Sequence, residues 1–350
     1  AQRISRLRVR PSTKGVDVLA WDTQDGPWSI EDGALDKALH AFVKEHRVGA
    51  DTVYTVLPRH EVTTRILELP SHNREELTNM VRLSAEEFVP YSADELIIDQ
   101  SVLRPLESGE SQILAVLAHH DVVNNHLGML RKAGIIPEQI FLSTACLASV
   151  CSLASSALQD RFALTNLTSA GLEIAVMDKG ALQYTRGLAT VQDWRKAAED
   201  GDVQEELALE LRGSLATYRR ESVDGMGADT VFLASDMTET DAMSEALINE
   251  LGKDCAPASF AKELIRKGAE LCPHIPLVAL GAALTAQDRG RCAIRLLPKS
   301  ILQERAMMGT QKSAIRLFVL AACIVAVLGL WFMFKVSQYQ SHIEDLDSKI

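Results

Sequence analysis

The chain has 350 residues, a formal net charge of −11 at pH 7 and an apolar share of 47%. An acidic surface repels phosphates, so the charge argues against nucleic acid as the main partner. The apolar share is ample for a packed core, and the length favours one large or two medium domains.

Strands and helices are predicted to alternate in the first part of the chain. Alternating apolar residues mark strands, apolar residues three and four apart mark helices, and Gly134 ends the last of these helices. A turn at Glu107–Glu110 predicts a hairpin between the two strands that flank it. The predicted strands are 16–21, 52–57, 61–69, 96–103 and 112–119, and the predicted helices are 35–45, 74–88 and 121–132.

A second series of elements begins at Ile140. Asp178-Lys-Gly180 is a two-residue hairpin signal between neighbouring strands. The predicted strands are 162–167, 171–178, 181–186 and 230–234, and the predicted helices are 144–158, 203–221, 240–251 and 276–285. Mixed strands, hairpins and helices in two successive series indicate a duplicated α/β unit.

A single membrane span is predicted near the C-terminus. Leu317 to Phe334 are eighteen residues without a charge, long enough to cross most of a ~30 Å hydrocarbon core. Residues 291–316 before it hold six basic residues and one acid, whereas residues 335–350 after it hold two basic residues and three acids. Because positive flanks stay in the cytoplasm, the large N-terminal part should be cytoplasmic and the C-terminus outside.

The residues after the span show a short heptad pattern. Apolar residues recur at alternating spacings of three and four from Val336 to Ile350. This pattern predicts the start of a coiled coil, with a lone amphipathic helix as the alternative. Because the chain begins without Met and stops soon after the span, we expect it to be a fragment of a longer polypeptide.

The remaining polar clusters give no metal or enzyme signature. Five scattered cysteines lack C-x-x-C spacing and are predicted to be reduced core thiols in a cytosolic domain, and the sixth, Cys323, lies in the predicted span. No phosphate-binding loop, nucleophile elbow or zinc-protease helix occurs in the sequence. Two clusters are interpreted as a polar strand end and as the positive end of a helix rather than as a metal site and a phosphate site: His119, His120, Asp121 and His126; and Arg219, Arg220 and Glu221.

Several segments resemble the PilM/GspL family, the actin-like cytoplasmic proteins of type IV pilus and type II secretion systems. The most specific block runs from Arg65 to Leu103: Arg65-Ile-Leu-Glu-Leu-Pro70, then Glu86-Glu-Phe-Val-Pro90, then Leu96-Ile-Ile-Asp99. Residues 122–137 and 273–284 resemble a later helix with its glycine stop and the last helix of the family. The resemblance implies an α/β, actin-like (ribonuclease H-like, duplicated) fold over residues 1–290, followed by the single transmembrane helix.

A further segment resembles the N-terminal motif of PilN, the membrane partner of PilM. The motif residues here are Ile294, Leu296, Leu297 and Pro298, with Arg295 where the motif has asparagine. The chain therefore resembles PilM and PilN joined in one polypeptide, with a linker at 291–313, the span at 314–335 and the coiled coil at 336–350. The alternative is that Ile294–Pro298 is only an apolar linker.

The family resemblance also implies where a nucleotide would lie, and the residues there depart from the pattern. Phosphate hairpins need close backbone N–H groups and carboxylates for Mg²⁺. This chain lacks the expected acid or glycine at each place, so no cofactor and no catalytic residue are predicted, although Ser12–Gly15 could still cradle an anion. The degenerate positions are Ser12, Thr13, Lys14 and Gly15 in the first hairpin, Asn166 and Thr168 in the second, and Ser235 and Asp236 at the adenosine position.

The resemblance implies a non-enzymatic platform subunit in a bacterial inner membrane. Its expected partners are the assembly ATPase, other platform proteins of the same machine, PilN/PilO-like or GspM-like membrane proteins, and a second copy of the chain. The sequence does not separate a pilus from a secretion machine, although the Ile294–Pro298 motif favours the pilus. The alternative function is a membrane-tethered, ATP-binding actin-like protein that switches with nucleotide.

Overall fold

A computed structural model describes residues 2–28, 33–106, 109–155, 161–189, 200–222, 224–236, 240–298 and 300–302, together with 329 and 331. The chain divides into two compact units, Ala1–Leu296 and Leu297–Ile350. The first unit extends six residues past the predicted domain boundary at 290. Of the second unit, the structure describes only seven residues.

The first unit is built from strands and helices in close alternation. The described strands are β1 (Gln2–Ser12), β2 (Gly15–Gly26), β3 (Tyr54–Leu57), β4 (Thr63–Leu69), β5 (Leu96–Pro105), β6 (Ser111–His119), β7 (Gln139–Leu142), β8 (Phe162–Thr168), β9 (Gly171–Asp178), β10 (Ala181–Leu188), β11 (Thr230–Ser235), β12 (Asp254–Pro257) and β13 (Ile265–Lys267). The described α-helices are α1 (Ala34–Glu45), α2 (Arg74–Leu83), α3 (Ala85–Phe88), α4 (His120–Lys132), α5 (Ser143–Leu153), α6 (Gly201–Glu221), α7 (Thr240–Leu251) and α8 (Leu277–Thr285).

The first half of the fold consists of β1 to β7 with α1 to α4, joined late in the chain by β13. The long hairpin β1–β2 pairs with β13, and β3 pairs in parallel with β7. Between β3 and β7 the chain inserts an antiparallel sheet in the order β4-β6-β5. Leu77 and Val81 of α2 are fully buried against that sheet, so the insertion has a small core of its own.

The second half is a five-stranded sheet covered by two helices. Its strand order is β10-β9-β8-β11-β12, with an antiparallel meander of β10, β9 and β8 and two parallel strands. The apolar side chains of α6 and α7 form one core with this sheet. Burial of this face against two helices is the main stabilising contribution in this half.

Helices α5 and α8 pack closely against one another. A Cβ atom at Gly281 of α8 would lie 2.1 Å from the carbonyl oxygen of Cys146 in α5. The backbones of α5 and α8 can lie this close together only because position 281 has no side chain.

The structure confirms both predicted hairpins. β5 and β6 are antiparallel, and so are β9 and β10, whose turn places Lys179 and Gly180 at φ of 51° and 77°. A two-residue turn in which both central residues have positive φ matches the twist of the flanking strands.

Two predicted helices are shorter than periodicity alone suggests. Helix 74–88 is divided into α2 and α3 at Ser84, which has φ −91° and ψ 2° and closes the first helix through its N–H. Helix 144–158 ends at Leu153, because Ala154 takes an extended conformation.

The predicted span Leu317–Phe334 lies outside the described residues, apart from positions 329 and 331. Within the described part of the chain, no helix has both the length and the apolar character that crossing a membrane requires. The predicted coiled coil at 336–350 also lies outside the described residues. Both stay predictions.

A contact between α4 and β3 predicts that the stability of the protein depends on pH. The Nε2 of His126 lies 2.6 Å from the Thr55 hydroxyl, and burial lowers the pKa of His126 from 6.5 to about 4. Between these values the unfolded chain binds a proton that the folded protein does not, so stability falls as pH falls from 6.5 towards 4. The shifted pKa of His126 changes the free energy of unfolding by at most about 3 kcal/mol.

Thermal unfolding of the wild type and of His126→Gln between pH 4 and 6.5 measures the pH-dependent contribution of His126 to stability. The stability advantage of the wild type should shrink with falling pH. The exposed His40→Gln variant should follow the wild type. A constant difference between the wild type and His126→Gln would contradict the assignment.

Candidate functional site

The residues predicted around a nucleotide fall into two separate groups. Ser12, Thr13, Lys14 and Gly15 form the turn at the end of β1. The carbonyl of Asp236 instead accepts a hydrogen bond from Arg3, at the beginning of β1. Arg3 and Ser12 are nine positions apart along β1, roughly 30 Å at 3.3 Å per residue. The turn Ser12–Gly15 therefore cannot act on the same nucleotide as Asp236.

The turn Ser12–Gly15 presents its backbone carbonyls to a cation. The guanidinium of Arg289 donates to the carbonyl oxygens of Ser12 at 3.1 Å and Gly15 at 3.3 Å, and also to that of Thr13. Gly15 is buried, and a Cβ there would lie 2.1 Å from the carbonyl oxygen of Leu264. This geometry makes the glycine a packing residue and leaves the turn unsuited to phosphate.

The four positions predicted around a nucleotide in the second half of the fold, namely Asn166, Thr168, Ser235 and Asp236, lie close to one another. In the parallel pair β8–β11, Asn166 lies opposite Ala234, and Leu167 lies opposite Ser235, so the strand ends carrying Thr168 and Asp236 are neighbours. Asn166 and Ser235 are buried. Carboxyl ends of neighbouring parallel strands are a common place for a ligand.

Asp236 in this group is tied to the first half of the fold by Arg3. Arg3 donates to the Asp236 carbonyl and forms an ion pair of 2.8 Å with Asp25. Burial raises the pKa of the Asp236 carboxyl, and the nearby charge of Arg3 opposes the shift. An arginine side chain thus lies beside the predicted adenosine position.

The segment that resembles the PilN motif lies along the edge of β7. Phe141 of β7 and Arg295 form an antiparallel bridge, and the Leu296 N–H donates to the Ile140 carbonyl at 2.8 Å. This isolated bridge lies along the edge of β7, and we call residues 293–296, which carry it, the edge strand.

Side chains from β5 and α5 hold the backbone on both sides of this contact. Asp99 accepts from the Arg295 N–H at 2.8 Å, and Ser101 accepts from the Ala293 N–H at 3.2 Å. From α5, Ser149 donates to the Cys292 carbonyl at 2.7 Å and Ser152 accepts from the Arg291 N–H at 3.2 Å. Burial raises the pKa of Asp99, and its bond from the Arg295 N–H and the charge of Arg74 oppose the shift.

The side chains of the edge strand alternate between the interior and the surface. Ile294 and Leu296 are fully buried, whereas Arg295 is exposed and pairs with Asp288 at 2.7 Å. The arginine at the motif's asparagine position therefore bonds through its backbone N–H to Asp99. Leu297 and Pro298, the last motif residues, belong to the second compact unit.

Sequence reasoning missed the residues that hold the edge strand. Asp99 and Ser101 appeared only as part of a strand, and Ser149 and Ser152 as part of an alanine-rich helix. Two serines three residues apart on an apolar helix are a weak signal that could have marked a polar contact. Their partner lies about 140 residues later in the chain, so spacing alone could not reveal it.

The two other polar clusters are structural. His119 accepts from the Asp121 N–H at the start of α4, and His126 contacts Thr55 elsewhere. Among the described residues no group of three potential metal ligands occurs. Arg219 and Arg220 lie in the last turn of α6, where Arg219 donates to the Gly225 carbonyl at 3.2 Å.

The two α/β halves, with the insertion between β3 and β7, agree with the actin-like fold that the sequence resemblance implies. Residues 24–190 match the family described as "Type IV pilus assembly protein PilM". The resemblance to the PilM/GspL family is therefore confirmed, and the chain is a PilM-like protein in this region.

One solved structure supports the fold, and a second is reported beside it. A chain of a "PilM-PilN type IV pilus biogenesis complex" superposes with a TM-score of 0.65 at 20% identity, over 81% of this chain and 96% of that one. The cytoplasmic domain of EpsL, an inner-membrane component of the Vibrio cholerae type II secretion system, gives a TM-score of 0.43 at 13% identity, over 83% and 91%. Among curated proteins, the comparison by sequence finds no match.

The burial of the edge strand predicts a large effect of one substitution. Leu296→Ala should destabilise the protein by about 2–5 kcal/mol, because it removes buried methyl groups and leaves a cavity. The matched control Leu209→Ala, on the exposed side of α6 at 65% exposure, should change stability by no more than about 0.5 kcal/mol. Urea unfolding of the full chain measures both variants. Equal effects would mean that the edge strand is not docked in solution.

Proposed function

We propose that this protein is a non-enzymatic inner-membrane platform subunit of a type IV pilus or type II secretion machine. The observation that carries the proposal is the edge strand, whose sequence resembles the PilN motif and which pairs with β7 of a PilM-like fold. The solved complex of similar fold contains PilM together with PilN. In the proposed function, this chain would supply both parts in one polypeptide. The pairing with a PilN-type segment favours a pilus machine.

Strand addition explains how such a contact gains affinity and specificity. Main-chain hydrogen bonds to a sheet edge give affinity, and pockets for alternate side chains give specificity. Here the main-chain bond runs from Leu296 to Ile140, and Ile294 and Leu296 are the buried alternate side chains. Joining the segment to the fold raises its effective concentration to the millimolar range or above, roughly.

The membrane anchor follows from the sequence after the edge strand. Leu317–Phe334 would cross the inner membrane, with the actin-like unit in the cytoplasm and the residues beyond 335 in the periplasm. The cytoplasmic unit would dock the assembly ATPase and other platform proteins. The span and the tail would bring PilO-like or GspM-like partners and a second copy of the chain together.

The rival function is a membrane-tethered protein that switches with bound ATP. The platform function is favoured because Asn166 and Thr168 stand where an acid and a glycine are expected, and because Arg3 lies beside Asp236. At Asn166 the carboxylate that would hold hydrated Mg²⁺ is replaced by an amide. The two functions differ in whether the full chain binds Mg-ATP.

Protease accessibility tests the proposed arrangement directly. In spheroplasts that make the full chain with a C-terminal tag, external protease should remove the tag and leave the N-terminal unit intact. Disrupting the membrane should then expose the N-terminal unit. A matched variant with Leu320 and Val325 changed to Arg should leave the tag protected in the cytoplasm. Protection of the wild-type tag in intact spheroplasts would contradict the proposal.

A further inference from the structure

A buried carboxylate lies where the two halves of the fold meet. Glu173 of β9 is 6% exposed and pairs with Asn166 on β8 and Gly187 on β10. Residues directly opposite one another in a sheet project on the same face. Glu173 therefore shares a face with Asn166, the position that would lie near a phosphate.

The carboxylate lies at the amino end of α5. The Thr144 hydroxyl donates to Glu173 and lies 3.3 Å from the Thr185 hydroxyl. Ser143 and Thr144 are the first two residues of this eleven-residue helix, which has no side-chain cap of its own. A helix amino end favours negative charge because its first N–H groups have no partner within the helix.

Two further donors lie close to Glu173. Ser143 is only 4% exposed, and its hydroxyl is near enough to the Glu173 carboxyl to oppose the rise in its pKa. The buried Nε of Arg59 has no hydrogen-bond partner among the described groups, whereas its Nη1 donates to the Val62 carbonyl at 3.0 Å. Burial raises the pKa of Glu173, and the neighbouring hydroxyls and the charge of Arg59 oppose the shift. A guanidinium, two hydroxyls and a helix amino end are the groups that bind anions.

Arg59 reaches this place from the first half of the fold. It follows β3, and its side chain crosses β10 at Gly187, where a Cβ atom would lie 2.6 Å from Arg59 Cγ and 2.9 Å from His60 N. Any larger residue at 187 would push this turn away from the sheet. The two halves are thus in contact next to the carboxylate.

We propose that Arg59, Ser143, Thr144 and Thr185 form an anion pocket that the chain fills with its own carboxylate, Glu173. The internal carboxylate takes the place of a small bound anion such as phosphate. It holds the two halves of the fold together without a ligand. The inference concerns how the domain is closed and does not depend on which machine the protein serves.

Chemical rescue tests this pocket. Glu173→Ala in the full chain should lower Tm and leave a cavity of carboxylate size between the donors. Sodium formate or inorganic phosphate at tens of millimolar should then restore about half or more of the lost Tm, as expected for a ligand that binds only the folded state. Sodium chloride at the same ionic strength should not.

Two variants serve as controls. Met177→Ala makes an apolar cavity in the same strand, where Met177 is fully buried, and no anion should rescue it. Glu173→Gln keeps the pocket filled, so its Tm should fall less and should not respond to formate. If formate and phosphate act on Glu173→Ala no more than chloride does, the proposal is overturned.

A Glu173→Ala protein that does not fold on expression can be refolded from urea with and without formate. A higher yield of native protein with formate than with chloride supports the pocket. Equal yields overturn it.

Discussion

The edge of β7 is the constraint on which the rest of the compact unit depends. An open strand edge leaves N–H and C=O groups without partners, and proteins cover such edges. Here the chain returns after α8 to cover the edge with residues 293–296, the bond from Leu296 to the Ile140 carbonyl being one of its contacts. The same contact joins β5 of the inserted sheet to α5 through Asp99 and Ser149. A single short segment therefore bridges the inserted sheet, the β3–β7 pair and α5.

Side chains of the chain itself connect elements from the two halves of the fold. Arg3 contacts Asp236 from the first half, Arg59 crosses β10, and Glu173 accepts from the start of α5. Contacts of this kind would suit the proposed platform function, which requires partners to be kept in fixed positions.

Much of the fold could be predicted from the sequence, because strands such as β8 and β9 alternate clearly and their turn residues are specific. The family resemblance supplied the order of the halves. The placement of Ser12–Gly15 could not be predicted, because periodicity identifies a hairpin without showing which of its ends faces the cleft. Glu173 and Asp99 were missed for another reason: their partners lie far away in sequence, and a single carboxylate within a strand carries no local pattern.

The central claim is that the edge strand is docked in the chain that carries it. Backbone hydrogen exchange in the full chain, read at the amides of Arg295 and Leu296, measures this directly. The account predicts that both amides are protected about as strongly as those of β7, because each donates to a fixed acceptor. Exchange at the rate of an unstructured peptide, with β7 still protected, would contradict it.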